Sequence, residues 1–261
     1  MSVFDDLRNL ITPARLLHDP AATGRGVRVA VLDSGADRAT LTRRHPSMNP
    51  LKGGIFLADR PEPLPYEGQQ SSPHGTTVAD ILLTLAPEAE YYIGDVFGPA
   101  GSCEVEVVIK ALAWAVDVWK CQIVNLSLGV VEQRLQQLPR RQQFLRAIED
   151  AYFKDVLIVA AAHNDHPFTK SYPALFAPPL LSVDKNLFPE PTQFAYRLHD
   201  RIEFQAHARG HVGPFAHEPA TSWAAPHLTA IAARLLSLKL DLKPFEVKTL
   251  LYWLSKECNE S

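Results

Sequence analysis

Three segments far apart in this chain carry a carboxylate, an imidazole and a hydroxyl, each set beside small residues. Asp33 lies in Val27-Arg28-Val29-Ala30-Val31-Leu32-Asp33-Ser34-Gly35. His74 opens His74-Gly75-Thr76-Thr77-Val78-Ala79. Ser222 lies in Ala220-Thr221-Ser222-Trp223-Ala224-Ala225-Pro226-His227. An imidazole can take the proton of a hydroxyl and return it to a leaving amine. A carboxylate can orient that imidazole and stabilise its charged form. The chemistry these three types specify is acyl transfer through a serine nucleophile. Their order along the chain is informative, because unrelated folds that share this geometry differ in order.

Two further segments suit the same chemistry. Asn164 closes Val159-Ala160-Ala161-Ala162-His163-Asn164, and a side-chain amide at a strand edge can donate to an oxyanion. Ser127-Leu128-Gly129 follows a short apolar run and offers main-chain groups to an extended peptide. Small residues around Ser222 let a helix N-terminus approach a reacting carbonyl, where its N–H groups favour negative charge. Taken singly, each residue has a plainer reading. Asp33, Ser222 and Asn164 suit turns or helix caps, Gly129 a strand end, and His74 is one of 10 histidines. The argument rests on their joint occurrence in one order.

The elements between them must bring these residues together. Val27–Leu32, Glu90–Val96, Gln122–Leu126 and Asp155–Ala162 are short apolar runs of the kind that form strands buried on both faces. Thr76–Leu85, Glu104–Trp119, Gln133–Phe153, Thr221–Leu240 and Asp241–Glu257 have helical spacing, with Pro244 near the first turn of the last. Val108, Leu112, Ala115 and Val116 share one helix face, as do Ile231, Leu235 and Leu236. Residues 59–73 hold Pro61, Pro63, Pro65, Gly68 and Pro73 and read as a loop. Residues 165–219 lack clean periodicity and read as short strands and loops. Strands alternating with amphipathic helices predict an α/β fold: a parallel sheet with helices on both faces. The expected organisation is a helical lead-in over residues 1–24 and one domain over 25–261.

Composition narrows the classes. The 261 residues are 46% hydrophobic and 21% charged, enough for one large domain. A net charge of -3 gives no polyanion-binding signature, so no nucleic-acid partner is expected. No run of 18 apolar residues occurs and no membrane association is expected. Met1-Ser2-Val3-Phe4-Asp5-Asp6 does not read as a secretory signal. Cys103, Cys121 and Cys258 form neither a disulfide framework nor a zinc pattern. A reduced, cytoplasmic setting is the expectation.

The order and flanks of Asp33, His74 and Ser222 resemble those of the subtilisin-like serine peptidases, over roughly residues 25–240. The resemblance implies a three-layer, doubly wound fold with a mostly parallel seven-stranded sheet. It implies that Asp33 is the orienting acid, His74 the general base and Ser222 the nucleophile. Asn164, with the Ser222 N–H, matches the oxyanion hole. Ser127, Leu128, Gly129, Ala161, His163, Asp165, Thr221 and Trp223 form the implied substrate-binding set. The expected substrate is a polypeptide, with a regulatory or biosynthetic protein as a further candidate partner.

Departures from the family pattern carry their own expectations. Thr77 stands where the family has a second His, a position that is not the general base. Ala220 stands where a Gly is usual and adds a methyl group near the bound peptide. His163 replaces the Gly before the oxyanion Asn and restricts the pocket ahead of the scissile bond. Trp223 follows the nucleophile and narrows the leaving-group side, while Asp165 adds an acid near the rim. Ile81-Leu82-Leu83-Thr84-Leu85-Ala86-Pro87 runs on where secreted relatives carry a calcium loop, so no calcium there and no cofactor are expected. The compact form without a pro-region resembles intracellular members. Crowding by Ala220, His163 and Trp223 leaves a second reading, a peptide-binding protein that keeps the fold but has lost turnover. An esterase is disfavoured, for want of a Gly-x-Ser-x-Gly elbow.

Overall fold

Seven strands run parallel through one large sheet of this computed structural model, which describes residues 9–98, 101–214 and 216–257. Along the chain the strands are β1 (Arg28–Asp33), β2 (Lys52–Ile55), β3 (Leu64–Pro65), β4 (Glu90–Asp95), β5 (Ile123–Leu126), β6 (Val130–Val131), β7 (Leu157–Ala161), β8 (Ser171–Tyr172), β9 (Leu181–Asn186), β10 (Phe194–His199) and β11 (Ile202–His207). The sheet order is β10-β11-β9-β7-β5-β1-β4-β2-β3. The run from β11 to β2 is parallel, and β10 and β3 add one antiparallel strand at each edge. The expected seven strands are therefore the parallel core of a nine-stranded sheet. β6 and β8 pair separately, antiparallel.

Helices cover both faces. They are α1 (Pro13–Leu16), α2 (Arg38–Arg44), α3 (His74–Leu85), α4 (Val105–Asp117), α5 (Leu138–Phe153), α6 (Thr221–Leu238) and α7 (Pro244–Glu257). β1 shows the layering in one strand. Val29 and Val31 enter one core with Ile81, Leu82, Leu228, Ile231 and Leu251, from α3, α6 and α7. Ala30 and Leu32 enter the other with Val108, Leu112, Phe144 and Ile148, from α4 and α5. The alternation is the period of two of a strand with helices on both sides. Each fully buried Leu, Ile or Val contributes about 1.5–3 kcal/mol by leaving water.

Three expectations are refined. The helix expected over 133–153 is broken: a 3-10 turn spans Glu132–Leu135 and α5 begins at Leu138. Pro139 sits in the first turn of α5, where its missing N–H costs no helical hydrogen bond. The proline-rich loop of 59–73 contains the two residues of β3. Of the lead-in over 1–24, residues 1–8 lie outside the described residues, and the described part holds α1, capped by the Thr12 side chain. No described helix is long and apolar enough to cross a membrane.

Candidate active site

Asp33 is the last residue of β1, Ser127 follows β5 directly, and Asn164 lies just beyond β7. Parallel strands thus deliver all three to the carboxyl edge of the sheet, where ligands of open α/β sheets collect. His74 is the first residue of α3 and Ser222 the second of α6, so both stand on helix N-terminal turns at this edge.

Asp33 is fully buried and its Oδ1 accepts from His74 Nδ1 at 2.8 Å. The Ser34 N–H donates to the same oxygen at 2.8 Å, and Ser34 Oγ lies 3.1 Å from it. Asp33 Oδ2 is buried without a hydrogen-bond partner among the described residues. Burial of the His74 ring works against its charged form, but the Asp33 charge and hydrogen bond outweigh it and raise the pKa above the ordinary histidine value. The bond from Nδ1 leaves Nε2 as the free nitrogen.

Glycines let α3 approach Asp33. A Cβ on Gly75 would stand 2.0 Å from the Gly35 carbonyl oxygen and 3.1 Å from Asp33 Oδ1, so only glycine fits. Gly35 itself has φ +75°, a backbone state that side chains disfavour. Ser34 Oγ accepts from the Gly75 N–H at 3.0 Å and from Ser72 Oγ at 2.9 Å, tying strand, loop and helix together.

Ser222 and Asn164 meet through Thr221. Asn164 Oδ1 accepts from the Thr221 N–H at 2.9 Å and from its hydroxyl at 3.1 Å. The amide nitrogen of the exposed Asn164 is left with no protein acceptor among the described residues. The Lys185 ammonium donates to the Asn164 carbonyl oxygen at 2.8 Å. The Ser222 N–H lies in the first turn of α6, where backbone donors have no helical acceptor. Ser222 Oγ donates to the Ser127 carbonyl oxygen at 3.3 Å, and Ser127 Oγ donates to the Ser222 carbonyl oxygen at 2.9 Å.

The remaining candidates spread around this centre. Ala161 ends β7 and is buried, Leu128 packs against the α4–α5 core, and Gly129 lies against Ser171. His163 Nδ1 accepts from the Asp165 N–H at 3.1 Å, so the ring folds back on its own loop. Trp223 is buried and lies against His74, ring centroids 4.9 Å apart. Thr77 is buried too, and its hydroxyl donates to the Val212 carbonyl oxygen at 2.6 Å. Ala220 is the N-cap of α6.

Sequence reasoning missed the supports. Asn125 donates through Nδ2 to Ser127 Oγ at 3.0 Å and accepts from the Thr229 hydroxyl at 3.0 Å, linking β5 to α6. An Asn inside the apolar run Ile123-Val124-Asn125-Leu126 was the available signal, since buried amides need partners. Asp95, opposite Asp33 in the β1–β4 register, accepts from the N–H groups of Phe97 and Gly98 at 3.0 and 2.9 Å and from Ser71 Oγ at 3.2 Å. Only the pairing of the strands reveals that role.

The segment where no calcium loop is expected is helix: α3 continues unbroken to Leu85, with Ile81, Leu82 and Leu83 buried. These side chains supply no oxygen ligands, so the segment does not fit a calcium loop.

Comparison with known proteins agrees with this architecture. Residues 24–185 match the model of the Subtilase family. Subtilisin Savinase of Lederbergia lenta is 34% identical over 170 residues, 61% of this chain and 56% of the relative. Subtilisin E of Bacillus subtilis (strain 168) is 28% identical over 244 residues, 86% of this chain and 59% of the relative. The matches thus span a little over half the length of these two relatives. Among solved structures, Sphericase superposes with a TM-score of 0.71 at 23% identity, covering 88% of this chain and 83% of its own. S41 Psychrophilic Protease gives 0.66 at 22% identity, with the same coverage. These likenesses carry the fold, and the family match carries the lineage: this chain belongs to the subtilase family.

Proposed function

We propose that the chain is a serine endopeptidase that cleaves polypeptides through an acyl-enzyme. The observation that carries this reading is the buried Asp33 bonded to His74 Nδ1 at 2.8 Å, on the sheet edge that also holds Ser222 and Asn164.

In the proposed reaction Ser222 Oγ forms a bond to the carbonyl carbon of the peptide while its proton passes to His74 Nε2. Asp33 holds Nδ1–H and stabilises the imidazolium. The carbonyl oxygen becomes an oxyanion, which the Asn164 amide and the Ser222 N–H, both without a protein acceptor among the described residues, stabilise by donation. The C–N bond then breaks, and the departing amine takes the proton from His74. Water gives a proton to His74 as its oxygen bonds to the ester carbon; the acyl–Oγ bond then breaks, the acid product leaves and His74 returns the proton to Ser222 Oγ. Substrate N–H groups compete with the Ser222 hydroxyl for the Ser127 carbonyl oxygen, which favours turning the hydroxyl toward His74. In the structure the Ser222 hydroxyl bonds to Ser127 rather than to His74, and catalytic hydrogen bonds often tighten only with substrate bound.

Trp223 and His163 support narrow specificity. The Trp223 indole, packed against His74, makes a fixed wall beside Ser222, and His163, although its ring bonds back to the Asp165 N–H, puts an imidazole where the family has a hydrogen. Asp165 beside His163 adds negative charge for a basic substrate residue.

A fluorophosphonate probe on the folded protein tests the reading, with Ser222→Ala and His74→Ala as controls. Labelling that requires both residues is the expected result, followed by cleavage of members of a peptide library. Folded protein that takes no label overturns the peptidase reading in favour of a peptide-binding subtilase.

A further inference from the structure

Trp223 does more than occupy space. Its indole and the His74 imidazole lie 4.9 Å apart between ring centroids and 33° from parallel. The indole N–H donates to the Glu218 carbonyl oxygen at 3.0 Å, which fixes the ring plane. Its main-chain carbonyl accepts from His227 Nδ1 at 2.7 Å, one turn further along α6. Trp223 is 4% exposed, whereas 35% of the His74 side chain remains open to solvent. One face of the imidazole is therefore covered by a rigid aromatic surface, its Nδ1 edge by Asp33, and the rest is left to substrate.

An indole face is electron-rich and attracts a cation placed over it, more strongly where water is excluded. The imidazole becomes a cation only while it carries the Ser222 proton. The stack is thus stronger in the charged state than in the resting one, and interactions that strengthen on the way to the transition state speed the reaction. Because Trp223 directly follows Ser222, one helical turn presents both the nucleophile and the surface that steadies its base.

The elements packed around the Asp33–His74 pair carry these ionisable groups among the described residues. β1 contributes Asp33. β4 contributes Asp95, whose Oδ1 bonds go to Ser71, Phe97 and Gly98. The segment before α4 contributes Cys103, whose thiol is pushed up to about 12 by burial, then by Asp33 and Asp95. His211, on the loop that Thr77 holds, faces Asp80 at 3.8 Å. Trp223 is the α6 side chain stacked on the imidazole.

We propose that Trp223 is a positioning residue for the general base: its indole holds the His74 ring against Asp33 and stabilises the imidazolium formed when Ser222 gives up its proton. The proposal rests on the peptidase reading for its effect on rate, but the stabilisation itself is measurable without turnover.

The experiment is an NMR titration of the His74 ring in the full chain carrying Ser222→Ala, compared with the same chain bearing Trp223→Phe or Trp223→Leu. The Leu variant is expected to lower the His74 midpoint by about half a pH unit or more, with Phe in between. In chains that keep Ser222, kcat falls about three- to tenfold for Leu with KM within about twofold, and Phe recovers part of the loss. Ordered midpoints, together with no peptide hydrolysis by the chain that keeps Ser222, sustain this proposal and remove the peptidase reading. Identical midpoints in all three proteins overturn it. If the Leu variant does not fold, the Phe variant decides alone, and an unchanged midpoint overturns the proposal.

Discussion

Ser222 and Ser127 are hydrogen-bonded to each other twice, each hydroxyl donating to the other's main-chain carbonyl oxygen at 3.3 and 2.9 Å. The pair joins the end of β5 to the first turn of α6, and Asn125 Nδ2 completes it by donating to Ser127 Oγ at 3.0 Å. Ser127→Ala keeps the carbonyl that receives the Ser222 hydroxyl but strands the buried Asn125 donor. Stability is expected to fall by about 1–3 kcal/mol, the cost of leaving such a donor unpaired. The urea midpoint measures it, and an unchanged midpoint would show that the bonds contribute nothing net.

Asn164 spends its side-chain oxygen on Thr221, while its amide nitrogen has no protein acceptor among the described residues. Asn164→Ala is expected to lower kcat by about 10²–10³ with a smaller effect on KM. Asn164→Asp retains an acceptor for Thr221 while removing the donor, so it separates oxyanion stabilisation from loop anchoring. Its kcat is expected to fall at least as far. An Asp variant with near-normal kcat assigns Asn164 to anchoring instead.

The His74 pKa sets a pH dependence whose sign can be worked out. Burial lowers it, but the Asp33 charge and hydrogen bond leave it raised. In the proposed reaction His74 acts only when neutral, so kcat/KM is expected to fall as pH drops through a value above the ordinary ~6.5. For stability the sign is opposite. The His74–Asp33 pair contributes fully below the unfolded pKa and ceases to contribute as pH rises through the folded one. Asp33→Asn is expected to move the acidic limb to lower pH and to reduce kcat by about 10⁴. A profile whose acidic limb stays in place would show that Asp33 does not act on the imidazole.

Chelation is expected to leave both the melting temperature and activity unaltered. The segment where the family resemblance places a calcium loop is the buried apolar stretch Ile81–Leu83 of α3. A large fall in melting temperature with EDTA would reveal a cation held elsewhere.

Much of this arrangement was legible because chemistry and strand ends coincide. Val27–Leu32 announced a buried strand, and the residue after it, Asp33, ends that strand at the sheet edge bonded to His74. His74 followed by Gly75 was readable too, although the reason only glycine fits, the Gly35 carbonyl oxygen 2.0 Å from a would-be Cβ, is tertiary. α2 and β2 were not anticipated. α2 is a short helix capped by Asp37, and β2 is Lys52-Gly53-Gly54-Ile55, whose glycines carry no periodic signal. β9, β10 and β11 were expected only as short strands, because their pairing with β7 and with one another is set by contacts distant in sequence. The stack of Trp223 on His74 joins residues 149 positions apart, and sequence alone indicated only that an indole stood near Ser222.

Asp80 supplies the last expected outcome. It is fully buried on α3, the helix that begins at His74, and its Oδ1 meets Arg44 Nε at 2.7 Å and His45 Nε2 at 2.8 Å. Its Oδ2 lies 3.8 Å from His211 Nδ1. Burial alone would raise its pKa, but the bonds from His211, Arg44 and His45 hold the carboxyl far below the usual range. A depressed folded pKa means stability that is complete above the unfolded value of ~3.9 and drains away as pH falls below it. Asp80→Asn leaves the Arg44 guanidinium, with His45 and His211 beside it, around a neutral amide. The Arg44 side chain is 40% exposed and keeps some hydration, so the cost at neutral pH is expected near 3 kcal/mol, about the low end for breaking a buried pair. Guanidinium melts of the two proteins across pH measure it. The gap between them should close as the pH is taken below about 4. Parallel stability curves, with no closing of the gap, would show that the Asp80 charge is not what holds α3 to α2.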